Sequence, residues 1–177
     1  MTAAAIVLIG PMGAGKTSLG RRIARELGVP FADSDRIVVR DHGPIAALFA
    51  DHGEEHFRAL EREAVREALA TGGVVALGGG AVLDEQTRAE LRDHRTVLLT
   101  VKPHVVASRI GGGTRPLLEG EDPVARWERI YDERRPVYES VAQATFDTSS
   151  GPLSDVVARI VAWAREGSES TAAQEDA

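Results

Sequence analysis

Residues Gly10–Thr17 read G-P-M-G-A-G-K-T and follow directly on the apolar run Ala4-Ala5-Ile6-Val7-Leu8-Ile9. The pattern G-x-x-x-x-G-K-[ST] constrains the fold because it works only as a strand, a loop and a helix in succession. The strand ends, small residues let backbone N–H groups converge on an anion, and a helix begins with its positive end toward phosphate. Ser18–Leu27 carries apolar side chains at helical spacing and stops at Gly28, a suitable C-cap. In such a unit Gly13, Ala14, Gly15, Lys16, Thr17 and Ser18 surround the phosphates of a nucleotide. Lys16 reaches the terminal phosphates and the Thr17 hydroxyl ligates Mg²⁺. Lys16 and Lys102 are the only lysines. A chain that otherwise uses arginine keeps lysine where a compact ammonium is needed beside phosphate.

With 177 residues the chain suits one domain, about 1–166, with a good core. A net charge of −6 argues against general nucleic-acid affinity. The absence of cysteine excludes disulfides, thiolate nucleophiles and Cys-ligated zinc. No apolar stretch reaches membrane-span length, and the first one leads into the phosphate loop, so it reads as a core strand and not a signal peptide. A soluble cytoplasmic enzyme, acting as a monomer, is the expectation. Residues 167–177 are small, polar and acidic and are expected to form a disordered tail.

Strand-like runs alternate with helical ones, which predicts a parallel α/β sheet covered on both faces. The strand candidates are Ala4–Ile9, Phe31–Asp33, Val74–Leu77, Thr96–Val101 and Thr145–Asp147. Helices are expected over Thr17–Leu27, Pro44–Asp51, Gly53–Ala70, Asp84–Arg92, His104–Ile110, Val124–Ala142 and Leu153–Arg165. Two stretches depart from the alternation. Residues from about 34 to 61 form a helical insertion after the second strand. The run Gly111-Gly112-Gly113-Thr114-Arg115 places flexible glycines around one arginine, which suits a mobile lid over about 111–121.

Four further segments carry chemistry. Phe31-Ala32-Asp33-Ser34-Asp35 sets two carboxylates just past a short strand, on one side of an extended chain. Ligands of open parallel sheets bind at that end. One carboxylate there can support Mg²⁺ through its water shell, and the other can take a proton from an acceptor hydroxyl. Gly53-Glu54-Glu55-His56-Phe57-Arg58-Ala59-Leu60-Glu61 opens a charged helix in which Arg58 and Glu61 are one turn apart; His56 reads as a surface residue. Val74–Leu77 runs into Gly78-Gly79-Gly80, which lets a ligand approach the backbone closely. In Arg134-Arg135-Pro136-Val137-Tyr138 the proline is expected to end or kink a helix and so fix an arginine able to grip a carboxylate.

Taken in order, these segments resemble the shikimate kinase family. The matching motifs are G-x-M-G-x-G-K-[ST] at Gly10–Thr17, F-x-D-x-D at Phe31–Asp35 and G-E-x-x-F-R-x-x-E at Gly53–Glu61. They continue with G-G-G at Gly78–Gly80, R-P-L-L at Arg115–Leu118 and R-x-P-x-Y at Arg134–Tyr138. The resemblance implies a three-layer P-loop kinase fold of the nucleoside-monophosphate-kinase type, with a five-stranded parallel sheet, a substrate-binding region at about 34–61 and a lid. It implies transfer of the ATP γ-phosphate to the 3-hydroxyl of shikimate. Carried onto this chain, Lys16 stabilises phosphate charge, while Thr17 and Asp33 hold Mg²⁺. Asp35 binds shikimate and acts as base or orienter. Arg58 and Arg134 grip its carboxylate, Gly79 and Gly80 line the ring site, and Glu61 orients Arg58. Arg115 swings in with the lid, and Arg109 lies against adenine. The chain departs from the family at Val38 and Val39, where an acidic residue is expected, and in a slightly short lid.

Two other readings are compatible with the phosphate loop. Another small-molecule kinase of this fold, such as a gluconate kinase, would share Lys16 and the lid but not the arginines at positions 58 and 134. A nucleotide-binding regulatory protein without transfer activity would be expected to lack Asp35 or Arg115.

Overall fold

Four consecutive apolar residues without polar alternation suit the middle of a sheet covered on both faces. β1 (Ile6–Ile9) occupies that place in the computed structural model, which describes residues 4–110 and 122–175. Among the described residues, β1, β2 (Phe31–Asp33), β3 (Val74–Ala76), β4 (Arg95–Thr100) and β5 (Ala144–Asp147) form one sheet in the order β2-β3-β1-β4-β5. Every neighbouring pair is parallel, with Ile6 opposite both Val74 and Arg95. Consecutive side chains of β1 leave opposite faces and enter separate cores. Ile6 and Leu8 pack with Leu19, Ile23, Trp127 and Ile160, whereas Val7 and Ile9 pack with Val65, Leu69 and Tyr138. From β1 the chain moves outward past β3 to β2, and after β3 it crosses to β4. The carboxyl end of β1 is therefore the switch point where α/β proteins bind ligands.

The helices cover both faces. α1 (Lys16–Leu27) ends at Gly28 in the left-handed region, φ 67°, as its C-cap reading requires. α2 (Ser34–His42) and α3 (Ile45–Ala70) form the insertion. Gly53, at φ 82° and ψ 175°, breaks α3 internally, so its two halves match the two helices expected there. Val38, where an acidic residue is expected from the family pattern, is fully buried against Leu48, Phe57 and Ala64 and glues α2 to α3. α4 (Glu85–Glu90), α5 (Pro103–Ile110), α6 (Pro123–Val141) and α7 (Leu153–Glu175) complete the set. No helix among the described residues is long and apolar enough to cross a membrane.

α6 runs through Pro136 to Val141, as the helix expected over Val124–Ala142 requires, so the proline does not terminate it. The proline withholds one N–H from the Asp132 carbonyl, yet the next turn is held by Val137, Tyr138 and Val141 packed on the sheet. α7 likewise runs past Gly167 to Glu175, where an unstructured tail was expected from residue 167. Ala172, Ala173, Gln174 and Glu175 are strong helix formers and no proline interrupts them. The expected lid at 111–121, with Arg115, lies outside the described residues.

Candidate active site

The phosphate-loop sequence sits between β1 and α1. Gly10 has φ 137° and packs directly on the Leu99 backbone carbonyl, a place no Cβ can occupy. Gly15, at φ 89°, is the N-cap of α1. Lys16 Nζ donates to the Gly10 and Pro11 carbonyls at 2.7 and 2.9 Å. The Thr17 hydroxyl donates to Asp33 Oδ2 at 2.6 Å, while Asp33 Oδ1 caps α2 by accepting the Arg36 N–H at 3.2 Å. This pairs two oxygen donors at the end of the sheet, a chemistry suited to a hard cation that keeps several waters and binds phosphate oxygens. Among the described residues no group of three or more His, Cys, Asp or Glu side chains is arranged to hold a metal ion. The fit is thus to such a loosely ligated ion and not to a caged one.

Beyond β2 the backbone turns sharply into α2. The Gly78 N–H donates to the buried Ser34 hydroxyl at 2.9 Å, so the D-x-D segment and the glycine run are joined. Asp35 lies beside that joint. Burial, then the charges of Glu61 and Asp33, push its carboxyl up from 3.8 to about 6, although Lys16 and Arg58 pull the other way. A Cβ on Gly78 would stand 2.5 Å from Asp35 Oδ1 and 2.6 Å from Glu61 Oε1, so only glycine admits both carboxyls.

Arg58 donates from Nη1 to Glu61 at 2.6 Å and from Nη2 to Glu54 at 3.0 Å. Glu61 is almost fully buried, and burial raises its pKa against the pull of the Arg58 charge and hydrogen bond and of Arg134. The Arg58 guanidinium lies over Gly80, filling the space a side chain there would take. Arg134 stands on the other side of the glycine run, its Nη1 3.7 Å from where a Gly79 Cβ would be. Tyr138, one turn beyond Arg134, donates its hydroxyl to the Gly79 carbonyl at 2.5 Å, and burial lifts that phenol to about 12.

A cleft of about 600 Å³ gathers these groups. Its walls include Gly13, Gly15, Lys16, Thr17 and Ser18 from the loop and Asp33 and Asp35 from the D-x-D segment. Arg58, Gly79, Gly80, Arg134 and Arg109 complete the expected set that reaches it. Ala14 is buried beneath the loop and does not line the cleft. Arg109 donates to the Gly13 carbonyl at 3.0 Å and to the Thr148 carbonyl at 2.9 Å. His56 is exposed, its ring centroid 4.8 Å from that of His52, as a surface residue should be. Sequence reasoning passed over Ser34 and Tyr138, although both lie within motifs it singled out.

A shikimate kinase family model matches residues 12–165. The shikimate kinase of Thermobifida fusca is 53% identical over 146 residues, covering 81% of this chain and 84% of the relative. Among solved structures, the shikimate kinase from Acinetobacter baumannii in complex with shikimate has a TM-score of 0.88 at 34% identity, over 94% of this chain and 95% of that one. A gluconokinase from Sinorhizobium meliloti, with a TM-score of 0.67 over 97% of each chain, is 24% identical and shares the fold alone. With a family match over most of its length and a relative sharing more than half the aligned residues, the chain belongs to the shikimate kinase family.

Proposed function

We propose that the chain transfers the γ-phosphate of ATP to the 3-hydroxyl of shikimate, giving shikimate 3-phosphate and ADP for aromatic amino-acid synthesis. One observation carries this reading. A single cleft has a phosphate loop at one end, two guanidinium groups against glycine backbone at the other, and a buried carboxyl within electrostatic reach of both.

Arg58 and Arg134 bind the acceptor carboxylate by charge-assisted hydrogen bonds. Glu61 holds the Arg58 guanidinium in place, and the Gly79–Gly80 backbone lets the ring approach closely. Asp35 accepts the hydrogen bond of the 3-hydroxyl and takes its proton as the new O–P bond forms and the bond to the β-phosphate oxygen breaks. A carboxyl near 6 is ionised at neutral pH yet basic enough to help. Lys16 stabilises charge on the β- and γ-phosphates, positioning and charge neutralisation being most of what phosphoryl transfer requires. Thr17 and Asp33 would hold Mg²⁺, which when bound would offset phosphate charge. Arg115, beyond the described residues, adds charge at the transferring group, and Arg109 lies against adenine. Action as a monomer belongs to the same proposal, and the dependence on ATP supports a cytoplasmic site of action.

Phosphorus NMR of a reaction with Mg·ATP and shikimate tests this. A phosphomonoester resonance coupled to the proton on C3 is expected; orthophosphate alone would mean hydrolysis without transfer to shikimate.

A further inference from the structure

Three successive carbonyls of the phosphate loop are held from outside it by donors from three separate parts of the chain. The Trp127 indole N–H, early in α6, donates to the Met12 carbonyl at 2.9 Å. Arg109, in the last turn of α5, donates to the Gly13 carbonyl at 3.0 Å. The Thr148 hydroxyl, just beyond β5, lies 3.0 Å from the Ala14 carbonyl. Trp127 and Thr148 are 1% and 2% exposed, so water cannot replace them as donors. Thr148 Oγ1 also lies 3.0 Å from the Thr100 carbonyl and accepts from Arg109 at 3.2 Å. Its one proton serves two carbonyls while its lone pairs hold the arginine.

In a trans peptide the C=O and N–H of one unit point in opposite directions. Holding the carbonyls of Met12, Gly13 and Ala14 outward therefore aims the N–H groups of Gly13, Ala14 and Gly15 to the other side. The Ala14 N–H also lies 3.4 Å from the Pro11 carbonyl, so Gly13 and Gly15 depend most on outside support. These two glycines, at φ 79° and 89°, have no side chain to restrict their backbone. Both line the cleft, whereas Trp127 and Thr148 do not touch it.

We infer that Trp127 and Thr148 are positioning residues for the nucleotide phosphates, acting through the loop carbonyls; the inference rests on reading this loop as the ATP site. Trp127→Phe removes the N–H and keeps a ring. Thr148→Val removes the hydroxyl at similar shape, and Thr148→Ser restores it. Calorimetry with MgADP, alongside steady-state kinetics and Tm, reads the effect. Trp127→Phe and Thr148→Val should each bind MgADP roughly 3- to 10-fold more weakly, the loss expected for one hydrogen bond. KM for ATP should rise in step, KM for shikimate should stay within about twofold, and Thr148→Ser should match wild type. Folded variants with wild-type MgADP affinity would overturn the inference, as would an equal rise in KM for shikimate. Should Trp127→Phe fail to fold, the Thr148 pair decides alone. Wild-type protein that fails to bind MgADP would overturn the ATP reading and this inference with it. Normal wild-type binding with unaffected variants would overturn this inference only.

Discussion

Asparagine in place of Asp35 keeps the shape of the protonated carboxyl and removes its charge from a buried site, so it separates what that charge does for folding from what it does for catalysis. The folded protein raises the Asp35 pKa from 3.8 to about 6, mainly by burial and then by Glu61 and Asp33. A raised carboxyl pKa means that the native state binds the proton more tightly than the unfolded chain. The resulting stabilisation is fully present below the unfolded value and is lost as pH rises through about 6. About two pH units of difference correspond to roughly 3 kcal/mol. The variant, which has no proton to lose, should outlast wild type by an increment of ~1 kcal/mol at about pH 4.5 and ~3 kcal/mol at about pH 7.5. Urea unfolding of both proteins at those two pH values, without nucleotide or metal, measures it. The gap should widen by ~2 kcal/mol between them, while kcat at neutral pH falls by roughly 10²–10⁴ if Asp35 is the base. A gap independent of pH, or one that narrows as pH rises, would refute the burial argument. An undiminished kcat would remove Asp35 from the proton-transfer step.

Other perturbations separate the two ends of the cleft. Lys16→Ala should nearly abolish transfer while leaving the far-UV circular dichroism spectrum unchanged; its Nζ bonds carbonyls of its own loop at the cleft. Arg134→Ala should raise KM for shikimate by about 10-fold or more and leave KM for ATP close to wild type, as expected for a charge-assisted bond to the acceptor alone. Gly80→Ala should fold, since φ −96° suits alanine and the side chain in its way is the flexible end of Arg58. By displacing that guanidinium it should weaken shikimate binding, measured by calorimetry, without altering MgADP binding.

Much of the fold was legible because burial imposes patterns on a chain. β2 falls on the expected Phe31–Asp33, and β1 lies within the expected apolar run. Gly53 separates two helical segments as read, since a glycine at φ 82° marks a break that side-chain periodicity alone would miss. The helix over Val124–Ala142 was legible from its pattern, but that Pro136 does not terminate it was not: one withheld hydrogen bond is a local loss, and the packing of Tyr138 and Val141 that outweighs it comes from distant parts of the chain. The cleft residues were legible as short motifs, each carrying its own chemistry in adjacent positions. Trp127 and Thr148 were not: their partners lie 115 and 134 residues away, and a single tryptophan or threonine carries no periodicity or spacing to betray such a bond.

The most direct test of the account is ADP release with Mg·ATP, measured with shikimate, with gluconate and with no acceptor. The account predicts rapid turnover with shikimate and only background release in the other two. Equal turnover with gluconate would contradict shikimate as the acceptor this cleft selects, and release that does not depend on an acceptor would contradict transfer; either would overturn the central claim.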